Sequence, residues 1–241
     1  MLIVTPRHTQ ADLNLWREYE AADLVHAQTL DSKIAKAIND IREFAKQACY
    51  CAVSWGKDSV VIAHLTARAD YSVPLGHLLI RATTALNPDC ATVRDEYLKV
   101  TRQRYLEAEG RTSRQHDFGA LAKAVGTGRN VNGVRADESS DRRLSRIVHG
   151  VSTSQTCRPI IDWTAADVMA YLARFNLPVH PAYGMLGGGR YDRERLRVAT
   201  LGGERGGGIG RREWEQEYYG DVLARMQVFA GVGFTTEFKR V

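Results

Sequence analysis

Residues 50–65 read Tyr-Cys-Ala-Val-Ser-Trp-Gly-Lys-Asp-Ser-Val-Val-Ile-Ala-His-Leu. Ala48 to Ser54 is short, apolar and rich in small or β-compatible residues, which predicts a strand buried on both faces. Val60, Val61, Ala63, His64 and Leu65 return to helical spacing. A strand, a tight turn and a helix place free backbone N–H groups and the positive end of a helix dipole at the carboxyl edge of a parallel sheet. That is an anion site. Ser54 and Ser59 offer hydroxyls, Gly56 lets a phosphate approach the backbone, and Lys57 adds a point charge. Asp58 would repel a bare phosphate, so it points either to a magnesium ion nearby or to a role in fixing the turn. The Walker-type pattern G-x-x-x-x-G-K-[ST] does not fit. Cys51 stands at its first glycine and Asp58 at its Ser or Thr, which disfavours a kinase or GTPase.

Working outward, Asp23 to Gln47 carries apolar residues at three- and four-residue steps and predicts an amphipathic helix. Leu75 to Ile80 predicts a second strand, Ala91 to Glu109 a long charged helix, and Ser113 to Phe118 and Val131 to Val134 further strands. Arg158 to Ile161 reads as a short strand before the capping segment Asp162-Trp163-Thr164 and a helix over Ala165 to Phe175. This alternation predicts a doubly wound, mostly parallel α/β sheet of five strands flanked by helices. After Pro178 the glycine clusters surround Arg190, Arg193, Arg195, Arg197, Arg205, Arg211 and Arg212, which reads as a flexible basic arm before a helix from Arg211 to Phe229. The expected division is 1–183 for the nucleotide domain with its N-terminal helices and 184–241 for the arm and last helix.

The chain has 241 residues, 44% hydrophobic and 25% charged, with a formal charge of +5, enough for a full core and weighted toward acidic partners. No run approaches the ~18 apolar residues of a spanning helix, and the expectation is a cytoplasmic protein. Cys49, Cys51, Cys90 and Cys157 form no C-x-x-C pair, so neither zinc nor a disulfide framework is signalled. The histidines lack metal-ligand spacing.

Ser54-Trp55-Gly56-Lys57-Asp58-Ser59 follows the S-x-G-x-D-S signature and resembles the PP-loop ATP pyrophosphatases. Asn132 to Arg143 and Arg158 to Tyr183 are similar to the phosphoadenosine-phosphosulfate (PAPS) reductase branch of that superfamily. The resemblance implies an adenine nucleotide alpha hydrolase-like fold and cleavage of ATP between its α- and β-phosphates. It nominates Ser54 to Ser59, Gly133 and Arg135 for the nucleotide, Lys57, Asp58 and Arg135 for catalysis, and Asp58 for Mg2+. Glu138, Arg142 and Arg143 are further candidates.

Family reductases carry a nucleophilic cysteine near the C-terminus, and no cysteine follows Cys157. Paired cluster cysteines are missing too, so no iron–sulfur cluster is expected. The leading expectation is therefore an enzyme that activates an acceptor for sulfur transfer, with the DNA backbone as acceptor in phosphorothioate modification. Its partners would be a cysteine desulfurase, DNA held by Arg190, Arg193, Arg195, Arg197 and Arg205, and a second copy in a homodimer. Cys157 is a candidate sulfur relay. Sulfate assimilation, by a divergent PAPS reductase or a sulfate adenylyltransferase, and a non-catalytic nucleotide sensor are the alternatives.

Overall fold

The computed structural model describes residues 1–80, 85–110, 115–202 and 211–233. Five parallel strands form the main sheet: β1 (Tyr50–Ala52), β2 (Leu75–Ile80), β4 (Tyr105–Gly110), β5 (Asn130–Val131) and β6 (Thr156–Cys157), in the order β4-β2-β1-β5-β6. A second, two-stranded antiparallel pair joins β3 (Ala85–Leu86) to β7 (Thr200–Leu201). The helices are α1 (Gln10–His26), α2 (Asp31–Ala45), α3 (Lys57–Ala69), α4 (Asp89–Thr101), α5 (Gln115–Val125), α6 (Ser140–His149), α7 (Ala165–Arg174) and α8 (Arg211–Gly233). This is the doubly wound, parallel five-stranded α/β sheet flanked by helices that the strand–helix alternation predicts. The strand order reverses direction at β1, whose neighbours are β2 on one side and β5 on the other, so the crevice between β1 and β5 is the topological switch point.

β1 earns its central place by burial: Tyr50 and Cys51 are inaccessible, and α3 covers one face with Val61, Ile62 and Leu65. Thr164 caps α7, its hydroxyl accepting from the Asp167 N–H while Asp167 returns a bond to the Thr164 N–H. Elsewhere the prediction needs correction. Asp23 to Gln47 is not one helix: α1 ends at His26, a 3-10 turn intervenes, and α2 supplies the amphipathic face with Ile34, Ile38 and Ile41. Ala91 to Glu109 is a helix followed by a strand. Arg102, at φ 52, closes α4 in the left-handed region, and Tyr105 onward pairs with β2. Residues 115–118 of the expected strand open α5 instead, and 113–114 lie outside the described residues. Arg158 to Ile161 is a turn, the paired strand being Thr156–Cys157 just before it.

The segment after Pro178 is not a solvated arm over the residues described. Met185, Leu186, Val198 and Leu201, with Trp214, Tyr218 and Tyr219 of α8, are buried, and all but Leu186 belong to the same apolar cluster as α3 and β1. Polar ties fix it in place. The carboxylate of Asp12, fully buried, accepts from the Tyr218 hydroxyl and the Leu186 N–H, and Asp89 accepts from Arg7 and the Tyr219 hydroxyl. α8 extends from Arg211 to Gly233 with a break at Tyr219. Residues 203–210, with Arg205, and 234–241 lie outside the described residues.

Candidate functional site

The chain leaves β1 after Val53, whose N–H donates to Gly76 O, and turns at Ser54. Trp55 adopts φ 64, in the left-handed region where a side chain costs about 1 kcal/mol or more. Burial offsets that cost. The indole is 1% exposed, with its ring 5.8 Å from Tyr97, 5.6 Å from Tyr105 and edge-on to His77. Gly56 N-caps α3 without a side-chain cap. The Lys57 N–H donates to the Tyr183 hydroxyl at 3.2 Å, and the Ser59 hydroxyl donates to Gly56 O. Among the described residues the amides of Asp58 and Ser59 pair with no acceptor, so the dipole end of α3 is open for an anion.

A second turn, Asn132 to Arg135 after β5, closes on the first. A Cβ at Gly133 would stand 2.9 Å from the Asp58 carbonyl oxygen, so only glycine lets the two backbones approach this closely. Arg135, 2% exposed, then ties the turns together: its Nε donates to Asp58 at 2.5 Å and its Nη1 to both oxygens of Asp137 at 2.7 Å. Asp137 also accepts from the Ala165 N–H at the start of α7. Arg135 is thus a structural cross-link whose charge is spent on carboxylates, and it does not line the cavity described next. Lys57 is equally withdrawn, 4% exposed, with its ammonium 3.4 Å from Asp58 and 5.2 Å from the Tyr183 ring centre.

A cavity of about 720 Å3 opens at the switch point. Tyr50, Leu78 and Leu121 make one end apolar, and Ser54, Ser59, Asp58 and Gly133 make the other polar. A Cβ on Gly76 would strike the Tyr50 ring at 2.7 Å, so glycine there lets that ring pack directly on β2. Arg142 is the cation on the wall, paired with Glu138 beside it. Burial, and then the nearby charge of Arg197, hold its pKa below the ordinary guanidinium value. His77 lines this cavity and a smaller one of about 150 Å3 that also touches Trp55 and Cys90. Its pKa is lowered by burial against the opposing pull of Glu107. Of the residues nominated from sequence, Ser54, Asp58, Ser59, Gly133, Glu138 and Arg142 line the larger cavity. His77 and Tyr183 escaped the sequence reading, because Tyr183 reaches the α3 amide from 126 residues away and nothing local marks either.

Asp58 does not fit a protein-held magnesium ion: one carboxylate oxygen accepts from Arg135 and the other faces Lys57. Among the described residues no group of three His, Cys, Asp or Glu could hold a metal. Cys157 alternates with Thr156 on β6, so Thr156 lines the cavity while the thiol faces the core, its Sγ donating to Asp40 O. Burial pushes that thiol up to about 11, and a buried protonated thiol is a poor sulfur acceptor. The arginines are sorted as well. Arg193 is buried against Asp23 at 2.7 Å under the rings of Trp16 and Tyr19, so it is not free for DNA. Arg190 forks onto Glu217 and Arg195 approaches Asp192, whereas Arg197 is exposed without an ion-pair partner among the described residues. No described helix is long and apolar enough to cross a membrane.

A search of curated protein sequences gives no significant match. Solved structures similar to this chain include PAPS reductase from Candida auris in a phosphate complex, 12% identical, covering 74% of this chain and 95% of that one at a TM-score of 0.47. FMN adenylyltransferase from Candida glabrata in complex with ATP is 15% identical over 73% of this chain and 69% of its own, TM-score 0.48. NMN synthetase from Francisella tularensis is 11% identical over 88% and 98%, TM-score 0.46. The family comparison is more direct: residues 48–186, which contain both turns, the cavity wall and Tyr183, match the phosphoadenosine phosphosulfate reductase domain, and the chain belongs to that family.

Proposed function

We propose that the switch-point cavity binds ATP, cleaves it to AMP and pyrophosphate, and so activates an acceptor for sulfur transfer. The observation that carries this reading is the pairing of the open α3 N-terminus with the apolar side chains of Tyr50, Leu78 and Leu121 in one cavity of about 720 Å3. The slot between Tyr50, Leu78 and Leu121 suits a purine, and the amides of Asp58 and Ser59 with the hydroxyls of Ser54 and Ser59 suit phosphate oxygens. Arg142 would take charge that develops on the leaving pyrophosphate. Asp58, held by Arg135, keeps the two turns in register; a magnesium ion, where one is used, would be carried by the nucleotide's own phosphates rather than by a protein cage. Cleavage at the α-phosphate attaches AMP to an acceptor oxygen. A phosphodiester oxygen is a poor leaving group, and an adenylated one departs as AMP.

The acceptor proposed is a DNA phosphodiester, with sulfur delivered by a cysteine desulfurase. It is supported by the net charge of +5 and by the exposed Arg195 and Arg197 beside the cavity segment. A sulfonucleotide or sulfate as acceptor is the second reading, favoured by family membership and by a cavity sized for one nucleotide. Product analysis with ATP and Mg2+, with and without duplex DNA, separates these. AMP and pyrophosphate raised by DNA is the expected result; AMP formation stimulated by sulfate and indifferent to DNA gives the second reading. ADP with phosphate, or no turnover with either acceptor, overturns the proposal.

A further inference from the structure

The floor of the large cavity is a row of side chains on one face of three neighbouring strands. Tyr50 of β1, Asn130 of β5 and Thr156 of β6 stand level in the sheet register, and all three line the cavity. Asn132 follows β5 directly, its N–H donating to Cys157 O, and it lines the cavity too, while Val131 between the two asparagines is buried in the core. The two side-chain amides form a ladder along this floor. The Val134 N–H donates to Asn132 Oδ1 at 3.4 Å, Asn132 Nδ2 donates to Asn130 Oδ1 at 2.9 Å, and Asn130 Nδ2 donates to Gly128 O at 3.3 Å. A backbone N–H only donates and a backbone carbonyl only accepts, so the two ends of the ladder fix which way each amide points. A primary amide has two N–H donors and two acceptor lone pairs. The ladder uses one of each, and among the described residues each asparagine keeps one N–H and one lone pair for a ligand. Both side chains are half-buried and are oriented before a ligand arrives, so little ordering remains to be done on binding.

Position decides what the ladder reads. Asn132 adjoins Gly133 and the phosphate turns, and Asn130 lies about 7 Å further down the strand, beside the Tyr50 ring at the apolar end. A phosphate chain anchored at the turns puts the sugar at Asn132 and the base against Tyr50, with its edge toward Asn130. An amide that offers N–H and C=O side by side matches a ring-nitrogen acceptor next to an exocyclic amino donor. A 6-aminopurine presents that pair on its N7 edge, whereas a 6-oxopurine presents two acceptors. We infer that Asn130 and Asn132 are the specificity-determining residues of this cavity, Asn130 selecting a 6-aminopurine by its edge and Asn132 selecting ribose by a sugar hydroxyl. The inference rests on the nucleotide reading of the cavity and adds to it the residues that choose among nucleotides.

The test is calorimetric binding to the full chain of inorganic pyrophosphate and of three nucleotides with a methylene bridge between the α- and β-phosphates: the analogues of ATP, GTP and deoxy-ATP. The wild-type protein is expected to prefer the ATP analogue to each of the others by about tenfold, the worth of one or two hydrogen bonds. Asn130→Ala should erase the preference for adenine over guanine, and Asn132→Ala the preference for ribose over deoxyribose. Both variants should bind pyrophosphate as the wild type does, which also shows that the phosphate turns are intact. Equal binding of the three analogues by the wild type, or preferences unchanged in both variants, overturns the inference and leaves the nucleotide reading standing. Loss of pyrophosphate along with the analogues in both variants makes the ladder a prop for the turns and likewise overturns it. No binding of any analogue by the wild type overturns both readings.

Discussion

The turn after β5 and the arginine-rich segment after Pro178 both look cationic in sequence, and the structure uses the two charges differently. Arg135 is 2% exposed and shared by Asp58 and Asp137, so its charge holds turns together. Arg197 is exposed and without an ion-pair partner among the described residues, while its carbonyl accepts from Arg211 of α8. Between these extremes, Arg193 is buried in a private pair with Asp23, and Arg190 lies on the surface on Glu217. A guanidinium is available to a substrate only after the carboxylates within its reach have been counted. Counting arginines in a window overestimates an anion site, and a motif arginine is not thereby a ligand contact.

The largest effects should fall on the buried pairs. Arg135→Ala removes a buried guanidinium, leaves Asp137 without its cation and Asp58 with Lys57 alone, and is expected to cost about 2–4 kcal/mol in urea unfolding. Arg193→Ala should cost a similar amount, because Asp23 is left inside with no partner. A neutral Arg193→Ala would restore the picture of a solvated arm and break the contrast. Trp55→Gly comes next. It relieves the left-handed backbone but empties the space among Tyr97, Tyr105 and His77, for a net loss of about 2–4 kcal/mol by the same measurement. A gain in stability would mean that the strain outweighs the packing.

Acid should also lower stability, since two imidazoles are kept neutral by burial, His64 in α3 and His180 at the turn before Pro181. Burial lowers His180 to about 3 and His64 to about 4, from an ordinary value of 6.5. Between those values the unfolded chain binds protons that the folded chain refuses, so stability is full above about pH 6.5 and falls as pH drops toward 4 and then 3. Urea midpoints at pH 7, 6 and 5 would decline in that order, and a flat series would place both rings in water. The smallest effect belongs to Arg190→Ala: an exposed fork to Glu217 is worth about 0–1 kcal/mol, so its unfolding midpoint should barely move.

The strand–turn–helix of residues 50–65 was legible because its signals are local. An apolar run, a small-residue turn and a 3.6-residue period each act within a few positions, and β1, the Gly56 cap and α3 follow from them. Thr164 to Arg174 was legible for the same reason, with cap and amphipathic face in one window. The sequence by itself therefore determined the strand–turn–helix of residues 50–65, the family and the parallel α/β class of the sheet. It did not determine where Ala91 to Glu109 divides, because Tyr-Leu-Glu-Ala-Glu serves a charged helix as well as it serves β4; the pairing with β2 decides. Nor could it tell which charges face the cavity. Lys57, Arg135, Arg193 and Cys157 are withdrawn by contacts with Tyr183, Asp137, Asp23 and Asp40, and Arg142 lines the cavity beside Glu138. Those contacts join residues mostly tens of positions apart in the chain, and burial and charge pairing across such distances exist only once the chain has folded.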